Sequence, residues 1–293
     1  MTDVAAADFG TERTLQRDGC TLAYWVRGAE DAPVVVLTHG AGCDHRMFAP
    51  QMDAFAAEHR VVTHDVRAQG RSRPVSGAFR IQDTVEDVVA ILDDLGVQRA
   101  VLIGQSMGGN ISQEVLFRHP DRVAAIVNLG CACNTFALTR VERWSAGPLG
   151  MALLRAYPAK ALLRTIAKRS SVVPAVRDYI LDAESVLTKN EFCDIFGSLL
   201  GILHGESEYR ITIPELLLRG DNDRLGNFRR VMPLWQERDP NSELVVVPNA
   251  GHVANMDNAE FFNRTVLEWL GRSLPRTELV APAVPSAPAP ASA

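Results

Sequence analysis

The sequence predicts an α/β fold: a mostly parallel, eight-stranded sheet with helices on both faces and one helical insertion. Three observations predict it. Short, continuous apolar runs recur along the chain, each followed by an amphipathic segment of helix length, which is how parallel strands covered on both faces look in sequence. Two β-rich runs joined by an Asp-Gly turn precede them. The alternation then breaks once, between residues 130 and 210, where helical periodicity continues without a convincing strand.

The elements follow in order. Residues 13–16 and 21–26 read as a hairpin turning at Asp18 and Gly19. Further strands are expected at 34–38, 61–64, 100–103, 124–128, 214–218 and 244–247, with helices at 47–58, 84–95, 107–118, 228–237 and 259–270. Asp83 is placed to cap the second helix and Gly96 to end it. The long interruption follows the fourth parallel strand, so the chain divides into a core of residues 1–130 and 211–274 and a helical cap of residues 131–210 over the strand ends. The last stretch, 275–293, is dominated by alanine and proline, cannot assemble an apolar face, and is expected to be disordered.

Composition narrows the function classes. At 293 residues and 47% hydrophobic, the chain can bury a sizeable core. A net charge of -5 with no sustained basic run argues against nucleic acid as a partner. No apolar stretch reaches membrane-spanning length, and the acidic start, MTDVAAADFGTER, lacks the apolar region of a secretory signal, so a cytoplasmic location and no membrane partner are expected. The five cysteines (Cys20, Cys43, Cys131, Cys133, Cys193) are odd in number and lack paired metal spacing; reduced thiols, no metal and no cofactor are expected. Oligomeric state leaves no trace. The cap's charges are segregated, eight basic residues between Arg140 and Arg177 and five acids between Asp178 and Asp194, and two readings stand: steering of an anionic substrate, or oppositely charged faces of neighbouring helices meeting.

The chemistry concentrates at the strand ends. The strand at 100–103 runs into Gly104, Gln105, Ser106, Met107, Gly108 and Gly109 before a helix: G-x-S-x-G between strand and helix. The turn is so tight that the serine adopts a strained backbone, and side chains at the flanking positions would collide. Ser106 then projects above the sheet at a helix N-terminus that favours developing negative charge. The strand at 34–38 ends in His39, Gly40, Ala41 and Gly42, where a small-residue loop exposes amides; those of Ala41 and Met107 would form an oxyanion hole. Past the strand at 214–218 come Asp221 and Asp223, and past 244–247 comes His252. A serine hydroxyl needs a base to take its proton, and the imidazole needs a carboxylate to fix its tautomer; here they occur in the chain order Ser, Asp, His. Either aspartate alone would also serve as a helix cap.

These residues resemble the α/β-hydrolase superfamily over residues 14–274, through HGAG at 39–42, DVRAQGRS at 65–72, GQSMGG at 104–109, GDND at 220–223 and AGH at 250–252. The resemblance implies the α/β-hydrolase fold and a triad of Ser106, His252 and Asp223, because the family's acid commonly lies three residues past the glycine ending its strand. The family's common Arg-Gly-His-Gly is here Arg67, Ala68, Gln69 and Gly70, a segment read as scaffold. The activity implied is hydrolysis of a small-molecule carboxylic ester or lactone. A serine nucleophile argues against the related dehalogenases and epoxide hydrolases, which need a carboxylate there. Carbon-carbon bond hydrolysis, a hydrolase-like small-molecule receptor (GAGCDHRMF) and a cofactor-free perhydrolase side activity are the alternatives. Gly40, Gly42, Cys43 and Trp144 are the candidate pocket residues. The apolar cap residues Phe136, Trp144, Met151, Leu153 and Leu154 suggest a largely hydrophobic pocket, although residues at such spacing more often form the core of the cap itself. Asp44 reads as a helix entry.

Overall fold

The chain forms one eight-stranded sheet; a computed structural model describes residues 6–137, 147–206 and 208–274. In chain order the strands are β1 (Thr11–Arg17), β2 (Cys20–Arg27), β3 (Val34–Thr38), β4 (Arg60–His64), β5 (Ala100–Gln105), β6 (Val123–Leu129), β7 (Glu215–Gly220) and β8 (Ser242–Val247). Their spatial order is β1-β2-β4-β3-β5-β6-β7-β8; β1 and β2 are antiparallel, β2 pairs antiparallel with β4, and the rest are parallel. The hairpin turns on Asp18 and Gly19, both at positive φ (44° and 72°), the geometry that an Asp-Gly pair adopts at little cost.

The apolar runs are continuous because both faces are covered. On β3, Val35 and Leu37 enter one core cluster while Val34 and Val36 enter the other; on β5, Val101 and Ile103 divide from Ala100 and Leu102 in the same way. The first cluster is filled by Phe55 from α1 (Ala49–Ala56) and by Phe262, Val266 and Trp269 from the last helix, Ala259–Ser273. The second takes Val85, Val88 and Ile91 of α2 (Ile81–Asp94), Ile111 and Val115 of α3 (Met107–Arg118), and Trp235 of the helix Phe228–Arg238. Each such side chain, fully buried, contributes about 1.5–3 kcal/mol.

Between β6 and β7 lie α4 (Pro148–Ala156), α5 (Ala159–Ser170), α6 (Pro174–Glu184) and α7 (Lys189–Ser198). The order then continues with α8 (Phe228–Arg238), the single turn α9 (Ala254–Asp257) and α10 (Ala259–Ser273).

Two local expectations are corrected. The second helix begins at Ile81 behind Arg80, so Asp83 lies inside its first turn rather than at its cap; Ile81, wholly buried, extends the apolar face one turn earlier than the polar residues indicate. The segment expected as one helix from residue 47 is a 3-10 turn, His45–Phe48, followed by α1, because Asp44 caps Arg46 N–H and Pro50 sits at a helix start. Of the two readings of the segregated charges, the meeting of neighbouring helices is seen in part, as Arg155 of α4 pairs with Asp194 of α7 at 2.5 Å. Gly96, at φ 65°, does end α2. The tail beyond residue 274 and residues 138–146 fall outside the described residues.

Candidate active site

Ser106 sits between β5 and α3 with φ 52° and ψ -115°, a conformation that costs an L-residue strain and that the neighbouring glycines make attainable. A Cβ on Gly104 would strike the Gly108 backbone, and one on Gly108 would strike the Thr38 carbonyl, so neither position admits a side chain. The Ser106 amide donates to the Leu129 carbonyl (2.8 Å), fixing the turn against β6.

Two further loops converge on it. His252, 6% exposed, bonds through Nδ1 to Oδ2 of Asp223 at 2.9 Å, and Asp223 is 4% exposed. Asp221 has a different task, accepting the Ala250 N–H (3.0 Å) and so tying the two loops together. The loops press closely: a Cβ at Gly220 would collide with the Ala250 and Gly251 carbonyls, and one at Gly130 would lie 3.0 Å from His252 Nδ1. Phe228 stacks on the imidazole (5.5 Å, 18°), and Gln105 Nε2 donates to the His252 carbonyl (3.1 Å). With Nδ1 engaged by the carboxylate, Nε2 is the ring nitrogen left for other chemistry. Ser106 and His252 line one cavity, without a direct hydrogen bond between them among the described residues.

The small-residue loop is braced from below. Burial pushes the His39 pKa down, so its ring is neutral; that fits Nδ1 donating to the Gly40 carbonyl (2.8 Å) and Nε2 accepting the Val66 N–H (2.9 Å). Gln69 Oε1 accepts the Gly42 N–H (2.6 Å), and Asp65 accepts the His45 (2.7 Å) and Arg71 (2.6 Å) amides. The segment 65–72 therefore holds the loop 39–46 in place. Among the described residues, the amides of Ala41 and Met107 donate to no protein group.

The cavity has a volume of about 320 Å³ and a largely apolar wall. Ala41 and Cys43 line it; Gly40 and Gly42 do not, and shape the loop behind it instead, a Cβ at Gly40 striking the Gln105 side chain. Trp144 lies outside the described residues. Of the apolar cap residues expected there, Leu154 lines the cavity. Phe136 instead lies under Arg238, Met151 packs on Gly197 and Leu153 faces solvent, because a helical stripe in sequence does not say which neighbour it meets. Sequence reading missed Ile180 and Glu184 of α6, Phe192 and Phe196 of α7, and Phe228; the spacing of the first four along their helices is the only signal they carried. Of the segregated cap charges, Glu184 is the one that lines the cavity, so among the described residues no basic group of the cap faces it.

A family model described as the alpha/beta hydrolase family matches residues 35–265. The chain belongs to the α/β-hydrolase family. Among relatives of this α/β hydrolase, "3-oxoadipate enol-lactonase 1" of Acinetobacter baylyi is 41% identical over 93 residues, 32% of this chain and 35% of that protein. "Putative carbamate hydrolase RutD" of a Caulobacter species is 29% identical over 260 residues, 83% of this chain and 92% of the relative. The solved enol-lactonase of Burkholderia xenovorans LB400 superposes with a TM-score of 0.75 at 22% identity, covering 88% of this chain and all of the other, a likeness of fold. No helix among the described residues is long and apolar enough to cross a membrane.

Proposed function

We propose that this α/β hydrolase is a serine hydrolase that cleaves a small carboxylic ester or lactone through an acyl-enzyme. The observation that carries the reading is the meeting, in one apolar cavity, of a serine held at positive φ on a strand-to-helix turn and an imidazole fixed by a buried carboxylate. The enol-lactonase relative supports the choice of ester or lactone among acyl bonds.

In this reading Asp223 accepts the Nδ1–H of His252, which leaves Nε2 unprotonated to take the Ser106 proton as Oγ attacks the carbonyl carbon. The imidazolium that forms is stabilised by the same carboxylate. Charge on the carbonyl oxygen is met by the Ala41 and Met107 amides, each such donor supplying about 2.7–4 kcal/mol in the transition state. His252 then protonates the departing alkoxide, which leaves as the alcohol, or stays tethered when the substrate is a lactone. Water enters, gives its proton to Nε2, attacks the acyl-enzyme and releases the acid with Ser106 restored. The helices α4 to α7 supply the far wall of the cavity and act here as a cap that limits water and shapes the acyl site.

The test is Ser106→Ala assayed on p-nitrophenyl butyrate, a lactone and an aryl carbamate, with circular dichroism as the control for folding. Hydrolysis of the ester or lactone should fall to background with the fold retained. Turnover undiminished in the variant rejects the assignment, and parent activity confined to the carbamate shifts the substrate class.

A further inference from the structure

One polar group in the cavity is left unused by this reading. Glu184 ends α6 on the cavity wall, 1% exposed, and its surroundings are apolar: Phe192, Phe196 and Ile180 line the same wall. Its Oε2 is a buried atom with no hydrogen-bond partner, and among the described residues neither side-chain oxygen accepts a hydrogen bond or joins an ion pair. The nearest cation on the neighbouring loop, Arg46, is already spent on Asp44 (2.7 Å) and Asp182 (2.8 Å). Burial alone pushes the Glu184 carboxyl up to about 8.

Its position is specific. A Cβ placed on Gly42 would lie 3.0 Å from Glu184 Cγ and 3.3 Å from Oε1, so the carboxyl packs directly against the loop that carries the Ala41 amide. A buried carboxyl without a partner costs the fold its desolvation, and a leucine would fill the same apolar corner without that cost. The wall offers the carboxyl nothing, whereas a molecule bound in the cavity would supply the missing partner.

We propose that Glu184 is a specificity-determining residue of the cavity, hydrogen-bonding a hydroxyl or ammonium group carried by the substrate and disfavouring substrates that carry a carboxylate. The inference rests on the hydrolase reading for its choice of ester substrates. A hydroxyl both donates to and accepts from a carboxyl group, and an ammonium pairs with its ionised form. A second carboxylate would be buried beside it, with no lysine or arginine lining the cavity among the described residues to offset the repulsion.

The experiment compares kcat/KM of the parent, Glu184→Gln and Glu184→Leu on p-nitrophenyl esters of hexanoic, ω-hydroxyhexanoic, ω-aminohexanoic and adipic acids. Acetate esters of hexanol, hexanediol and aminohexanol place the same groups on the alcohol side. In at least one series the parent should prefer the hydroxy or amino ester to the plain one by about tenfold or more, with the adipate ester poorest. Glu184→Leu should erase that preference, bringing the ratio of hydroxy or amino ester to plain ester to about one. A hydroxyl preference retained by Glu184→Gln assigns the partner as a hydroxyl, and loss of an amine preference in that variant assigns it as an ammonium. Equal loss on every ester, an unchanged ratio, or a parent that favours the adipate ester overturns the proposal. Calorimetric binding of the same esters to Ser106→Ala, with and without Glu184→Leu, reads the preference without turnover. Failure of the hydrolytic reading and failure of this one therefore give different results.

Discussion

Two carboxylates two residues apart, Asp221 and Asp223, show at the scale of a residue how little separates a loop tie from the proposed chemical role. Both follow β7, both are short, and either suits a helix entry by sequence. Asp221 accepts a backbone N–H from the loop ahead of the histidine; Asp223 turns to the imidazole itself. The two therefore respond differently to loss of charge. Asp223→Asn should lower kcat by about a thousandfold or more with little change in KM, since an amide in that place no longer fixes the tautomer or stabilises the imidazolium. Asp221→Asn keeps an acceptor for the Ala250 amide and should change kcat by less than about threefold. Steady-state kinetics of the two variants on one ester checks both. The positions of Ser106, Asp223 and His252 beyond strand ends were legible in the sequence because each follows an apolar run closely, where local backbone geometry is enough to place it. Glu184 was not, because its meaning depends on what surrounds a helix terminus, and a helix sequence reveals its own periodicity but not its neighbours.

At the scale of elements, the sheet's strands were readable because burial on both faces leaves uninterrupted apolar runs, and their ends moved by at most two residues. The exceptions are instructive. Glu215 opens β7 and is fully buried, accepting from Asn128 Nδ2 (2.9 Å) and from Ser242 Oγ. The strand expected at 214–218 includes Pro214, whereas β7 begins at Glu215. Burial, the main cause, pushes its carboxyl up to about 8 from the usual 4.5, so the folded state holds a proton that the unfolded chain releases. The sign follows: its contribution to stability is whole below about pH 4.5 and is lost as the pH rises through about 8. Glu215→Gln, which keeps both bonding partners, should flatten the fall of Tm over that interval, as thermal melts at stepped pH would record. A slope equal to the parent's would mean that Glu215 is already ionised in the fold. Glu184, shifted the same way, adds to that slope, and Glu184→Gln should remove its share.

For the molecule as a whole, the loops of the proposed site are held by the sheet, and much of the cavity's remaining wall is held by the helices between β6 and β7. The two are joined: the Ser170 carbonyl at the end of α5 accepts the Val253 N–H beside the histidine (3.1 Å), and Asp257 accepts the Gly251 N–H (2.7 Å) while its other oxygen takes the Ser171 hydroxyl. Movement of that helical segment is thereby coupled to the loop carrying His252. The division also explains what could be read in advance. Sheet and loops obey local rules of strand, turn and glycine, whereas the cavity wall is set by long-range packing that no window of sequence contains.

The central claim is that Ser106 is an activated nucleophile, and reaction of the intact protein with a fluorophosphonate tests it most directly. The account predicts one stoichiometric adduct, mapped by peptide mass spectrometry to Ser106, absent in Ser106→Ala and formed far more slowly in His252→Ala. A parent protein that stays unlabelled under conditions that label an authentic serine esterase, or an adduct on another residue, would contradict it.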